Sequence, residues 1–400
     1  MQKVVLVNGL KILFEEKKSS SVVVEVMINV GSNQEEAEER GLSHFLEHIL
    51  FEGTTKRPTN QLISQEIEKI GGELNAYTSN ERTCFYAKVL KKHFTTAVEV
   101  LADILQNPLF KETDIKREKK IVLKEIDMVL DEPRFYQWIL LQKYLFTKHT
   151  CRYPTYGDKS SVLKISRERL LQYYQKYYVP NNMTISIVGE VKNWKKIIEN
   201  QFRLPGTLLT RKKNSLEPSY TKTKIIREQK KISNTYLALG FKTVSKKNHD
   251  AYVLEIINTL LGRGQSGRLF TEIRSRQGLA YDVGTQHIAE VSYGYFAAYA
   301  CVDKKNVDKA KKLILKELQK LKSLSLEDLA EAKVAIEGEY YLDLEDSQRM
   351  ADQLLFWEQA QDAHLLKRFI KNIRKVKKGD VKRVVEKYFK NYVMIVLEGK

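Results

Sequence analysis

The sequence predicts an α+β fold of two homologous α/β sandwich units, each a mostly antiparallel sheet covered by helices, joined by a linker. Three observations carry this expectation. The chain of 400 residues is about two to three times the size of one ordinary domain. Period-two apolar alternation and helical spacing follow each other in the same order in both halves. The phrase Glu66-Ile67-Glu68-Lys69-Ile70-Gly71-Gly72 before a strand is echoed by Glu272-Ile273-Arg274-Ser275-Arg276-Gln277-Gly278 before another. The units are expected at 1–204 and 225–400, with the linker at 205–224.

In the first unit, Val4–Val7, Lys11–Glu15 and Val22–Val30 alternate as antiparallel strands, with a turn at Asn8-Gly9. Helical spacing follows at Leu42–Phe51 and at Gln61–Ile70, where Gly71-Gly72 supplies the stop. A strand pair comes next at Leu74–Thr78 and Thr83–Val89, then helices near Phe94–Gln106 and Asp114–Leu130, the latter stopped near Pro133. Pro180-Asn181-Asn182 turns into a strand at Thr184–Val188. Periodicity lapses at Pro205-Gly206, the basic run Arg211–Lys213 and Pro218, which reads as the linker. The second unit repeats the order: a strand at Thr235–Phe241, helices at Ala251–Leu261 and Leu269–Arg276, strands near Tyr281–Gln286 and Tyr293–Val302, and helices near Lys305–Leu321 and Leu326–Leu342.

Composition narrows the function. At 42% hydrophobic residues with 7 Pro and 19 Gly, the chain is globular rather than disordered or collagen-like. No apolar run reaches membrane-spanning length, and Met1–Gly9 reads as a strand entering a turn rather than a leader. The net charge of +18 invites a nucleic-acid partner, but Lys and Arg are spread along helices that also carry Glu, so a solvated surface is the expectation and no nucleic acid is assigned. Cys84, Cys151 and Cys301 are far apart and odd in number, which suits a reducing cytoplasm and no disulfide framework.

The sharpest motif is His44-Phe45-Leu46-Glu47-His48. Residues four apart on a helix sit one turn above each other, so both imidazoles reach one ion, with Glu47 on nearly the same face. Chance would place such a string in a chain of this composition about 0.01 times. A third ligand is needed, since catalytic zinc has three protein ligands and a water. Glu118 and Glu125 are the candidates: they share a face of one helix with Ile121, Val122 and Val129, but lie about 10 Å apart along it, so one ligates and the other stands behind or lines the cleft. Spacing leaves open which. Gly262-Arg263-Gly264-Gln265-Ser266-Gly267 matches a dinucleotide loop literally, yet a helix precedes it where a strand is required, so it reads as a flexible helix connection.

With Asn8-Gly9-Leu10, Gly41-Leu42-Ser43 before the motif, Phe51-Glu52-Gly53-Thr54, Gly71–Ser79 and Pro180-Asn181-Asn182-Met183, almost the whole chain resembles the pitrilysin (insulinase, M16) family of zinc metallopeptidases. Within it, the chain is most similar to the short subgroup that contains the mitochondrial processing peptidase β subunit. The resemblance implies one zinc ion per chain on His44, His48 and Glu125, with Glu47 as general base and Glu118 in support. Arg274 and Tyr281 match an arginine–tyrosine pair of active members and are expected to contact substrate. Asn75, Ala76 and Tyr77, in a strand beside the zinc helix, offer an edge for an extended peptide substrate. Four such units enclose a clamshell chamber in the family, so this chain would be half of one, completed by a homodimer or by a related chain.

Overall fold

The computed structural model describes residues 1–205, 217–218 and 222–399. The first half contains β1 (Gln2–Val5), β2 (Lys11–Glu15), β3 (Ser21–Ile28), α1 (Leu42–Leu50), α2 (Asn60–Glu68), β4 (Glu73–Thr78), β5 (Thr83–Leu90), α3 (Phe94–Gln106), α4 (Glu112–Asp131), α5 (Pro133–Leu145), α6 (Lys159–Leu163), α7 (Arg167–Tyr177), β6 (Met183–Gly189) and α8 (Trp194–Gln201). The second contains β7 (Lys224–Lys230), β8 (Thr235–Lys242), α9 (Asp250–Gly262), β9 (Ala280–Ala289), β10 (Gly294–Val302), α10 (Val307–Lys320), α11 (Leu326–Glu345), α12 (Ser347–Ala360), α13 (Phe369–Lys375), α14 (Lys378–Tyr388) and β11 (Val393–Gly399). Most of the expected linker, including its basic run, lies outside the described residues.

The two sheets share one strand plan. The first runs β1-β2-β6-β3-β5-β4 and the second β7-β11-β8-β10-β9. In each, one pair is parallel and joins an early strand to the last, β2 with β6 and β7 with β11, and the remaining pairs are antiparallel. The α+β fold with two like units is thus present, with β1 added at one edge of the first sheet. β3 and β6 are buried along nearly their whole length because helices cover both faces, whereas β4 is an edge strand with alternating exposure.

The compact units do not follow the middle of the chain. One comprises Met1–Asp127, Pro154–Lys213 and Leu342–Leu366, the other Met128–Tyr153, Asn214–Tyr341 and Lys367–Lys400. Each therefore takes one helix from the opposite half of the sequence. α5 packs on β8 and β11, where Leu140, Leu141 and Leu145 join Ala238, Val393 and Ile395 in one apolar cluster. α12 packs on β6 and β3 of the first sheet. The crossing into α5 is sharp: α4 ends at Asp131, and Pro133, expected as a stop, occupies the first turn of the next helix, where its missing N–H costs nothing. Among the described residues no helix is long and apolar enough to cross a membrane.

In the second unit Glu217 ties the chain to the end of α5. Its carboxylate accepts the backbone N–H groups of Thr147 (2.8 Å), Lys148 (2.8 Å) and His149 (2.7 Å) and pairs with Lys242 at 2.5 Å. Burial opposes ionisation, but Lys242 and these donors prevail and hold the carboxyl at about 2. A carboxyl depressed in the folded state stabilises the fold above its unfolded value and loses that contribution as pH falls through its folded one. We expect Glu217→Gln to cost about 2 kcal/mol at pH 7. The difference from the unaltered protein in urea unfolding should shrink steadily as pH is lowered from about 4.5 toward 2.

Candidate metal centre

The helix that carries the histidines is fixed at its first turn. Gly41 precedes α1 with φ of +90°, and a Cβ there would come within 2.6 Å of the Tyr156 carbonyl oxygen. The buried carboxylate of Glu35 accepts from Gly41 N at 2.9 Å and Ser43 N at 2.7 Å, satisfying amides that have no partner within the helix. Burial still pushes the Glu35 carboxyl up to about 8 against the pull of those donors. Ser43 Oγ also meets the buried Tyr173 hydroxyl at 2.8 Å. Phe45, Leu46, Ile49 and Leu50 enter the core, which leaves His44, Glu47 and His48 on the remaining face.

α4 brings the carboxylates. Its buried stripe is Ile115, Glu118, Val122 and Ile126, whereas Ile121, expected in that stripe, is exposed. Glu125 Oε1 lies 3.6 Å from His44 Nε2, and Glu125 Oε2 lies 3.8 Å from His48 Nε2. One ligand atom from each of His44, His48 and Glu125 falls within 4.8 Å of the others. Tetrahedral zinc with bonds of about 2.0–2.2 Å sets its ligand atoms about 3.3–3.6 Å apart, so small side-chain movements close the set on an ion. Glu118 stands behind: its Oε2 is 3.2 Å from His48 Nδ1, which directs the other ring nitrogen toward Glu125. His44 Nδ1 is buried without a hydrogen-bond partner among the described residues. The pair of glutamates that spacing could not tell apart is separated by position: Glu125 faces both imidazoles, and Glu118 faces the back of one.

The charges suit a cation. The His44 hydrogen bond, then the charges of both imidazoles, hold Glu125 below its usual range. Burial raises the Glu47 carboxyl, opposed by a hydrogen bond from Thr78 Oγ1 to Glu47 Oε2 at 2.5 Å. Burial alone would lower His48, but the Glu118 hydrogen bond and the charges of Glu47 and Glu125 raise it. A cleft of about 770 Å³ opens beside these groups, lined by Glu47, His48, Leu74, Asn75, Glu118 and Ile121 among others. Arg117 pairs with Glu52 and Asp114 at its rim.

Of the expected substrate edge, Asn75 lines the cleft, and Asn75, Ala76 and Tyr77 all lie in the edge strand β4. The Tyr77 side chain does not face α1: its hydroxyl donates to Asp352 of α12, on the other side of the sheet, while its neighbour Thr78 reaches Glu47. Sequence reasoning gave Thr78, Glu35 and Tyr156 no role, because the contacts that define them come from sheet alternation and from a loop far along the chain. Tyr156 sits edge-on to His44 with ring centroids 6.5 Å apart, its hydroxyl buried and its acidity pushed back to about 12 by burial and by Glu125.

In the second unit, Arg274 lies on a π-helical turn, Phe270–Arg276. Its guanidinium donates to the Tyr281 carbonyl oxygen and lies 5.3 Å from the Tyr281 ring centroid, and the Tyr281 side chain is 70% exposed. The glycine-rich segment serves packing: a Cβ on Gly262 would come within 2.0 Å of Thr285 Oγ1 on β9.

Residues 11–159 match a family described as insulinase (peptidase family M16), and residues 164–336 match one described as peptidase M16 inactive domain. The chain is 33% identical over 345 residues to an uncharacterized zinc protease, YmxG, of Bacillus subtilis, covering 85% of this chain and 83% of the relative. It is 32% identical over 334 residues to an uncharacterized zinc protease of Rickettsia felis, covering 83% and 81%. In fold it is similar to a protease from Helicobacter pylori, with a TM-score of 0.92, 21% identity and 99% of both chains covered. A peptidase M16 inactive domain from Pseudomonas fluorescens gives 0.91 and 19%, covering 100% of this chain and 98% of that one.

Two substitutions test how the centre is held. Glu118→Ala should weaken zinc binding about 10- to 100-fold without abolishing it, read by competition with a chromophoric chelator. Gly41→Ala should lower stability by about 1–3 kcal/mol in urea unfolding, through strain at the start of α1.

Proposed function

The chain belongs to the insulinase family, peptidase family M16, and from that premise we propose that it is a zinc-dependent endopeptidase acting on peptides or short unfolded segments. The observation that carries the proposal is the convergence of His44, His48 and Glu125 beside Glu47 at an open cleft. Zinc held by these three would polarise a scissile carbonyl and acidify a water.

Glu47 takes the proton of that water and returns it to the leaving amine. Its raised affinity for protons suits both roles, and Thr78 holds one of its oxygens in place. Glu118 keeps the His48 ring turned. A substrate strand adds to β4 by main-chain hydrogen bonds, a mode that tolerates varied side chains, with Asn75 at the cleft. Tyr281, with Arg274 against it, is exposed enough to donate to substrate.

The zinc set and the Arg274–Tyr281 pair occur in one chain, so the simplest assembly is a homodimer in which four α+β units enclose the substrate and each chain's second half completes its partner's site. Three free cysteines, all buried, suit a cytoplasmic location. We expect Glu47→Gln to lower cleavage of internally quenched peptides about 10²- to 10⁴-fold while zinc content stays unchanged. Zinc-loaded protein inert toward a varied peptide set would instead mark a non-catalytic assembly subunit. Full activity in a monomer of 46.5 kDa by light scattering would contradict the shared site.

A further inference from the structure

On the opposite side of the first sheet from the histidines lies a second group of ligand-type side chains. Glu25 of β3, Cys84 of β5 and Asp352 of α12 each offer one atom within 4.8 Å of the others. The strand register explains the meeting. Cys84 pairs with Met27 in β3 and with Tyr77 in β4, so Glu25, Cys84 and Tyr77 point to the same face, the one covered by α12. Glu25 and Cys84 are both 0% exposed. Glu25 Oε2 accepts from Gln348 Nε2 at 3.0 Å, but Glu25 Oε1 is buried with no hydrogen-bond partner among the described residues. A buried carboxylate oxygen left in this way is destabilising unless something binds it. Tyr77 donates to Asp352 and closes the group from the edge strand.

We propose that Glu25, Cys84 and Asp352 form a second, structural metal site for a divalent zinc-like ion, separate from the histidine centre. The donor set of one sulfur and two carboxylate oxygens suits a borderline-soft ion and argues against Mg²⁺ or Ca²⁺. Zinc bonds of about 2.0–2.3 Å place tetrahedral ligands about 3.3–3.8 Å apart, so ligand atoms lying within 4.8 Å of one another close on an ion with movements of at most about 1.5 Å. Charge also closes. A glutamate, an aspartate and a thiolate balance a dication together with the buried Arg82 guanidinium, whose field acts on Glu25 and Cys84. The ion would pin α12, which comes from the second half of the sequence, to β3 and β5.

The histidine centre contains no sulfur, so a thiolate signal reports this site alone. The full-length protein, stripped by chelator under reducing conditions, is titrated with Co²⁺. The expected result is two Co²⁺ per chain and a near-ultraviolet thiolate-to-cobalt charge-transfer band that Zn²⁺ abolishes. Cys84→Ser should bind one ion fewer and lose the band, while the double variant Cys151→Ser/Cys301→Ser should keep it. Absence of any thiolate band in the unaltered protein under excess Co²⁺, or a band that survives Cys84→Ser, would overturn the proposal.

Discussion

Two imidazoles one helical turn apart can share an ion only if a second element delivers a carboxylate to the same height on the same face, and this constraint governs the first unit. α1 is held at its start by Gly41, Glu35 and the loop at Tyr156, and from below by Phe45, Leu46, Ile49 and Leu50. α4 is held by Ile115, Val122 and Ile126. Only with both helices fixed do Glu125 and the two histidines come within reach of one ion. The seven-residue gap between Glu118 and Glu125 then acquires its meaning. One carboxylate meets the Nε2 atoms of both imidazoles, and the other, about two turns away along the helix, meets the back of His48.

The second unit shows that the strand plan alone does not create this chemistry. It repeats the order of strands and the helix that follows the inner strand, yet α9 carries no histidine pair. Between α9 and the edge strand β9 lies instead an acid–imidazole contact, Glu255 Oε2 to His287 Nδ1 at 2.9 Å. Of the two units, only the first groups histidines with a carboxylate at metal-ligand distance among the described residues. The same scaffold thus supplies a cluster of metal-ligand side chains in one copy. In the other it supplies the exposed Tyr281, with Arg274 against it.

Local patterning made much of this readable. Alternation marked the strands, Gly71-Gly72 the end of α2, and the histidine spacing the shared face of α1. What stayed hidden depends on contacts between residues far apart in the chain. α5 and α12 join the sheets of the opposite halves, and nothing local to Pro133 or Ser347 announces that exchange. Glu35 meets Gly41 and Ser43 only once the turn at Gly41 folds it under α1, and Glu25 meets Cys84 and Asp352 only once strands and α12 are assembled. Tyr77 illustrates the limit of period-two reasoning. The alternation of β4 is legible, but which face meets α1 depends on a hydroxyl that finds Asp352 some 275 positions later.

The most direct test of the central claim, that this arrangement is a working zinc peptidase, is hydrolysis of an internally quenched peptide library by protein first stripped of metal and then resupplied with Zn²⁺. Cleavage should disappear on stripping, return with zinc, and not return in His44→Ala. Undiminished cleavage by the stripped protein, or equal recovery in His44→Ala, would contradict it.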